Sequence, residues 1–349
     1  MSKVEWKRLG DCMKVLRGCR LTKSQLSENE LYPVYHGGIQ PIGYYTQSNR
    51  QANTTMIINV GASAGTVGFC DTLFWSSDGC FCLSQNSMYN QKFLFHYLKY
   101  KEIQIIQKVR KAGIPTLDSQ VIENIELPIV NFNVQRQIVS QLDTFTTLIA
   151  KLESELTLRQ KQYEFYREKL LNFDGDEEVE WKKLGEICDI GTGNNNREDA
   201  ITDGLYPFFV RSKEVFRINK YLFDEEAVII PGEGGIGDIF HYVSGKYGLH
   251  QRAYRIHPKA CIYNCKYIYY YLAANFKQYI VQKSVSATVT SIRKPMLEDF
   301  CICIPSPELQ QYIVDKLDTF TTLISKLESE ITLRRKQYEF YREKLLTFE

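Results

Sequence analysis

The side chains best able to do chemistry gather in polar stretches between apolar runs. In the first half of the sequence they are Arg17, Arg20, Lys23, Tyr35, His36, Tyr44, Tyr45, Asn49 and Arg50. In the second half they are Asn194, Asn195, Asn196, Arg197, Arg211, Lys213, Gln251, Arg252, Arg293 and Lys294. Arginine, asparagine and glutamine carry paired donors and acceptors that match guanine and adenine edges in the major groove. Lysine and tyrosine more often hold phosphates. The chemistry on offer is non-covalent reading of a polar, anionic surface. For any one of these residues a solvated loop is an equal explanation. The two sets say more together, because they fall where two otherwise matched halves differ.

No bond-making constellation stands beside them, and no catalytic residue is assigned. The sequence has no G-x-x-x-x-G-K-[ST] phosphate loop. The run Gly-Glu-Gly-Gly-Ile-Gly at 232–237 resembles a dinucleotide fingerprint only loosely. Its spacing is wrong and no helical pattern opens from it, so a strand-to-turn element is expected. Neither Asn-Pro-Pro-Tyr nor Asp-Pro-Pro-Tyr occurs, which excludes an amino-methyltransferase site within the chain. His36, His241 and His250 sit near no obvious serine or cysteine nucleophile. Cys80–Cys82 and Cys301–Cys303 are C-x-C pairs, and Cys261 and Cys265 lie four apart, but no double C-x-x-C pattern forms. Buried free thiols on strands are expected, and no metal site.

The elements that must position these residues come from a duplication. Residues 141–173 and 316–348 are identical at 28 of 33 positions, at an offset of 175. The same offset aligns Val4-Glu5-Trp6-Lys7 with Val179-Glu180-Trp181-Lys182. Between the repeats the halves share only a skeleton. Leu31-Tyr32-Pro33 matches Leu205-Tyr206-Pro207, Met56-Ile57-Ile58 matches Val228-Ile229-Ile230, and a glycine-rich turn follows each. The run Ile114 to Ile129 matches Val289 to Ile304. Strands are expected at 54–60, 80–83, 227–230 and 300–304, and helices near 91–101 and 265–276. The repeated segments have stayed alike while the rest diverged.

Each repeated segment reads as one long helix. Ile138, Leu142, Phe145, Ile149, Leu152, Leu156, Tyr163, Tyr166, Leu170 and Phe173 alternate spacings of four and three, with Arg159 in the only gap. The second copy runs from Ile313 to Phe348, with Arg334 in its gap. Such heptads form a coiled-coil seam. A helix of this length spans about 58 Å, whereas the domain between the two helices spans roughly 35–40 Å. Only antiparallel packing brings the end of the first helix close to the start of the second. Phe348 should then return beside Trp6. Arg159 is expected near Glu328 and Arg334 near Glu153 as register-fixing ion pairs, the alternative being that both arginines snorkel outward over their alkyl stems. Identity also extends to the outward positions Gln162, Glu164, Arg167 and Lys169, repeated as Gln337, Glu339, Arg342 and Lys344. A surface kept twice points to one kind of partner bound twice, the alternative being gene conversion between the copies.

Composition sets the frame. A chain of 349 residues suggests two globular units. Residues 1–133 carry fourteen basic against ten acidic residues, and 181–308 sixteen against fourteen. Neither domain is strongly basic, so binding to an anionic polymer by this chain alone should be weak. No apolar run approaches the ~20 residues of a membrane span, and ten cysteines without a signal-like start suggest the reducing cytoplasm. The expected fold is α+β: two mixed α/β domains at 1–133 and 181–308, a first helix at 134–173, an acidic linker at 174–180 and a second helix at 309–349. The helices should pack as an antiparallel coiled coil in a pseudo-twofold, circular arrangement.

Taken together, these residues resemble the DNA-specificity subunits of type I restriction–modification enzymes. The resemblance rests on two divergent domains, each ending in an I-P-T or V-T-S stretch and an E-x-I/F-x-L/I segment. Gln135-Arg136-Gln137-Ile138-Val139 or Gln310-Gln311-Tyr312-Ile313-Val314 follows, then Leu-Asp and a long helix. It covers essentially the whole chain. It implies that each domain is a target-recognition domain reading one half of a bipartite double-stranded DNA site. The helices would set the spacing and dock two methyltransferase subunits. Those partners would carry S-adenosylmethionine and flip the target base, and two restriction/motor subunits would add ATP- and magnesium-dependent steps. None of these cofactors would belong to this chain. The main alternative is a coiled-coil interaction scaffold with two ligand-binding domains and no DNA role. A second is an enzyme holding a nucleotide on the glycine turns.

Overall fold

In a computed structural model the structure describes residues 4–173, 179–235, 237–283 and 291–348. Most of the acidic segment, residues 174–178, lies outside them, as do Ile236 and Val289–Thr290. The chain divides into two compact units, 1–154 with 329–349, and 155–328. Among the described residues no helix is long and apolar enough to cross a membrane.

Unit 1 is built on an antiparallel sheet in the order Val15–Arg17, Cys80–Leu83, Thr54–Ile58, Val67–Cys70. The central strands are buried along their whole length. Alternation sorts their side chains into two cores, because successive residues point to opposite faces. Met56, Ile58, Cys80 and Cys82 join Tyr35 and Phe74 on one face. Ile57, Phe81 and Leu83 join Phe93, Leu94 and Tyr97 of the helix Gln91–Tyr100 on the other. Ile138, Leu142 and Leu346 of the long helices complete this second core.

Unit 2 repeats the plan in one six-stranded sheet, ordered Cys188–Thr192, Ala253–Pro258, Phe223–Pro231, His241–Leu249, Tyr206–Phe209, Val215–Ile218. The strand His241–Leu249 pairs antiparallel with one neighbour and parallel with the next. Unit 1 divides that work between two short strands, Val67–Cys70 and Trp75–Ser76. Each unit also carries a two-stranded ribbon, Trp6–Arg8 with Glu126–Pro128 and Glu180–Lys183 with Cys301–Ile304.

The long helices run Phe132–Leu171 and Pro307–Leu346, 40 residues each, or about 60 Å. They start two residues before the sequence expectation because of their caps. Asn131 accepts from the amide of Asn133 at 2.9 Å, and Ser306 from that of Leu309 at 3.2 Å. Proline at the first helical position, Pro307, costs no hydrogen bond.

Inside unit 1, Phe145 stacks on Tyr341 and Arg335 donates to Glu153 at 2.6 Å. One residue number rises as the other falls, so the two helical segments run in opposite directions there. Inside unit 2, Tyr166 stacks on Phe320. Phe348 does lie beside Trp6, with ring centroids 6.4 Å apart. The register ion pairs are corrected. Arg159 donates to Glu155 and Gln162, and Arg334 to Glu330 and Gln337, each along its own helix. The arginine that reaches Glu153 is the next residue, Arg335, because the position after the seam gap faces the neighbouring helix.

A buried glutamine locks each long helix to its domain. The side chain of Gln135 accepts from the amide of Asn90 and donates to the carbonyls of Met88 and Val130, all at 2.8 Å. Gln310 does the same with Asn264, Ile262 and Pro305. Asn90 and Asn264 in turn cap the helices Gln91–Tyr100 and Cys265–Lys283. The repeated glutamines are thus joints between helix and domain. The thiol expectation needs correction: Cys261 and Cys301 are exposed, and Cys265 is buried on a helix rather than a strand.

Candidate nucleic-acid interface

Matching hydrogen bonds show that the two domains share one scaffold around a cleft. Short helical turns at Lys23–Gln25 and Arg197–Asp199 are each closed by a capping box. The amide of Thr22 donates to Gln25 at 2.9 Å, and that of Asn196 to Asp199 at 2.8 Å. Gly18 and Gly193 precede these turns, pressed on the sheet. A Cβ at Gly18 would sit 2.0 Å from the Ser77 carbonyl, and one at Gly193 1.8 Å from that of Leu249. On the far side, Leu117 donates to Asn59 at 2.8 Å and Ile292 to Gly232 at 2.7 Å. Val60 bridges to Thr116, and Glu233 to Ser291. Thr116 and Ser291 therefore fasten the glycine turns.

These contacts, with Ser77 donating to Tyr35 and His250 to Phe209 at 3.0 Å each, and Asn59 donating to Gly79 and Gly232 to Arg252 at 3.2 and 2.9 Å, put residues in register. Lys23 corresponds to Arg197, His36 to Val210, Gly37 to Arg211, Val60 to Glu233, and Gly79 to Arg252. The floor is common and the side chains above it differ. In unit 1 they enclose a cleft of about 620 Å³ lined by Arg17, Arg20, Lys23, His36, Val60 and Asp78. In unit 2 they enclose one of about 390 Å³ lined by Arg197, Arg211, Ser212, Glu233 and His250.

In unit 1 the structure brings together Arg17, Arg20, Lys23 and His36. Nδ1 of His36 accepts from the amide of Gly79 at 3.2 Å and lies 3.3 Å from Asp78. Tyr44 is exposed, and Tyr45 packs edge-on against Trp75. Three expected site residues are structural instead. Tyr35 is buried against Phe74, and burial pushes its hydroxyl above the ordinary range. Asn49 spends both ends of its amide on the backbone of Ser76, at 2.9 and 2.7 Å. Arg50 donates to the carbonyls of Asn49 and Arg17 and braces the loop.

In unit 2 the expected residues form a network. Gln251 donates to Asn196 at 2.6 Å, and Asn195 to Asp199 at 3.3 Å. Arg197 lies over the ring of Phe216. Arg211 and Arg252 both donate to Glu233, which holds that carboxyl below its usual range. Asn194, Lys213 and Arg293 are exposed, and Lys294 pairs at 3.4 Å with Glu298 on its own helix. Burial lowers the basicity of His241 and His250.

Sequence reasoning passed over two features. Glu233 is the first, because a search for cations does not look for the carboxylate that gathers them. The second is a hairpin in unit 1. Arg110 and Thr116 exchange amide–carbonyl bonds at 2.9 and 3.1 Å, closing a loop that turns on Gly113 at φ +79°. Lys108, Arg110 and Lys111 are exposed, and Ile114 at its tip is 71% exposed. The run Lys-Val-Arg-Lys-Ala-Gly-Ile was the available signal.

On the helices, Gln162, Glu164, Lys169, Glu339 and Lys344 are exposed, and Gln337 is half-buried. Arg167 and Arg342 are corrected. They fold back over Tyr163 and Tyr338 at 5.6 and 5.4 Å, with Nε enclosed, and so are not outward. Missed were Phe165 and Phe340, 58% and 61% exposed, each seven residues after an exposed leucine, Leu158 or Leu333.

Known proteins share this plan. A family model described as "Type I restriction modification DNA specificity domain" matches residues 1–158 and again 176–333. The type I restriction enzyme EcoDI specificity subunit of Escherichia coli is 33% identical over 172 residues, 49% of this chain and 38% of that protein. A second E. coli specificity subunit is 33% identical over 242 residues, 59% of its length. The chain thus spans less than two thirds of either. A putative type I restriction enzyme specificity subunit of Haemophilus influenzae is 28% identical, covering 99% of this chain and 96% of its own. The crystal structure of a type I restriction–modification S subunit from M. genitalium has the same fold, with a TM-score of 0.79 over 100% of this chain and 98% of that one at 17% identity.

Proposed function

This chain belongs to the type I restriction–modification DNA-specificity family, and on that premise we propose that it is the non-catalytic subunit that reads a split target in double-stranded DNA. The observation that carries this reading is the repeated scaffold with different side chains at matched cleft positions. Two copies of one floor bearing Lys23, His36 and Val60 in one case, and Arg197, Val210 and Glu233 in the other, suit two different short sequences.

The finer parts are proposals of the same kind. The long helices form an antiparallel coiled-coil spacer with pseudo-twofold symmetry, and the domains read DNA on either side of it. Their support is the opposed sense of the helix contacts inside unit 1 and the repeat-equivalent stack of Tyr166 on Phe320 inside unit 2. Two methyltransferase subunits dock on the repeated helix surfaces, where Phe165 and Phe340 join Gln162, Glu164 and Lys169 and their counterparts. S-adenosylmethionine, ATP and magnesium serve in the partner subunits, the last two with restriction/motor subunits. The assembly works in the cytoplasm.

Methylome sequencing of a host carrying this gene with its methyltransferase tests the core of the reading. The expected result is one asymmetric motif of two short halves separated by a fixed unread spacer. A methylation pattern unchanged when this gene is removed overturns it and favours a scaffold without a DNA role.

A further inference from the structure

The cleft of unit 2 contains a carboxylate that phosphate binding would not call for. Oε2 of Glu233 accepts from Arg211 at 2.8 Å and from Arg252 at 3.1 Å, and Oε1 lies 3.3 Å from the same Arg252 nitrogen. The backbone holds Glu233 in place. Gly232 donates to the carbonyl of Arg252 at 2.9 Å and accepts from Ile292 at 2.7 Å, and Glu233 itself bridges to Ser291. Gly234 follows in the left-handed region at φ +73°. The arginines are therefore drawn to a fixed anchor. Unit 1 has Val60 at this position, and among the described residues Arg17, Arg20 and Lys23 have no acidic partner.

A free arginine binds any phosphate it can reach, which adds affinity without sequence information. Arg211 and Arg252 each give only Nη1 to Glu233 and keep Nε and Nη2 for another acceptor, but an approaching phosphate meets the negative charge of Glu233 beside them. A guanine edge carries no net charge and offers O6 and N7 to a fork already held in one orientation. The carboxylate can in turn accept from the amino group of the paired cytosine.

We infer that Glu233 is a specificity-determining positioning residue that makes the cleft of unit 2 prefer a G·C pair in the major groove over bare phosphate. This rests on the proposed reading of unit 2 as a DNA reader.

The test uses the full chain assembled with its methyltransferase subunit, in wild-type, Glu233→Gln and Glu233→Asp forms. Binding is measured against the cognate duplex and against duplexes with either half scrambled, over a salt series. Glu233→Gln is expected to lower the cognate-to-scrambled ratio for the unit 2 half by roughly tenfold or more. It should steepen the salt slope on scrambled DNA by about 1. Discrimination of the other half should stay unchanged, and Glu233→Asp should restore part of the ratio. An unchanged ratio and slope, with the wild type still reading both halves, overturns the role of Glu233 and leaves the reading intact. Loss of both halves marks a merely structural role and overturns it too. If the wild type discriminates neither half, the reading fails and the inference falls with it.

Discussion

Phe145 of the first long helix stacks on Tyr341 of the second, with ring centroids 5.2 Å and planes 21° apart. The repeat-equivalent pair, Tyr166 on Phe320, has a separation of 5.3 Å and the same angle. Each stack lies inside one unit, and the duplicated sequence makes one interaction twice. Seam and surface should therefore respond differently to substitution. Phe145→Ala removes a half-buried ring and should cost roughly 1.5–3 kcal/mol of stability in denaturant unfolding. Phe165→Ala lies on the exposed side and should change stability by less than about 0.5 kcal/mol. On the docking proposal it should still weaken capture of the methyltransferase subunit. Equal losses of stability in the two variants would contradict this division.

The glutamine joint gives a second outcome. Gln135 is fully buried and satisfies one amide and two carbonyls. Replacing it with leucine keeps the volume and strands those three groups, so a loss of about 2–4 kcal/mol is expected. Hydrogen exchange should show the start of the first long helix and the cap at Asn90 loosening together. If only one of them loosens, the glutamine is not a joint.

Much of this was legible in the sequence, and the misses have physical causes. The long helices were readable because a heptad seam is a local pattern. Their starts were misplaced because the caps Asn131 and Ser306 lie outside that pattern. That Arg17, Arg20, Lys23 and the Asn194–Arg197 run lie in loops at the clefts was legible because polar stretches between apolar strands are a local signal too. Asn49 was misread because its partner, Ser76, is 27 residues away. Arg50 failed for the same reason, its partner being the carbonyl of Arg17. Tyr35 was misread because a tyrosine at a strand end can point either way, and only Phe74 decides it. Arg167 and Arg342 looked outward by helical phase, but each stacks on a tyrosine four residues earlier.

A pH dependence follows from His96. It is buried, its Nε2 lies 2.9 Å from Asp143, and Asp143 also binds Lys92. Burial pushes its basicity below the ordinary value of 6.5 against the pull of Asp143, and Lys92 and Arg342 push the same way as burial. The unfolded chain therefore takes up a proton more readily than the folded one. The stability tied to the neutral ring is complete above about pH 6.5 and declines as pH falls below it. Unit 2 has Tyr270 at this place, with its hydroxyl donating to Asp318 at 2.6 Å. His96→Tyr should flatten the decline in unfolding free energy between about pH 7 and 5. An equally steep decline in the variant would place the dependence elsewhere.

The hairpin closed by Arg110 and Thr116 stands beside the cleft of unit 1, since Thr116 also bridges to Val60. Arg110→Ala with Lys111→Ala should weaken DNA binding by the assembled complex about equally on all sequences. The salt slope should become shallower by about 1 for each phosphate that is no longer neutralised. A change in the methylated motif instead would make these residues base readers.

On the proposed antiparallel arrangement, the length of the helices sets the distance between the two DNA halves. Seven residues add about 10.5 Å of helix, or about three base pairs at 3.4 Å per pair. The insertion must be made in both helices, because lengthening one alone puts the seam pairs of Phe145 with Tyr341 and Tyr166 with Phe320 out of step. A whole heptad also returns the seam to the same face, whereas five residues would rotate it away. The paired heptad variant should methylate the same two half-sites with a spacer longer by about three base pairs. Methylome sequencing reads both quantities at once. An unchanged spacer with both halves still recognised would mean that something other than these helices sets the distance.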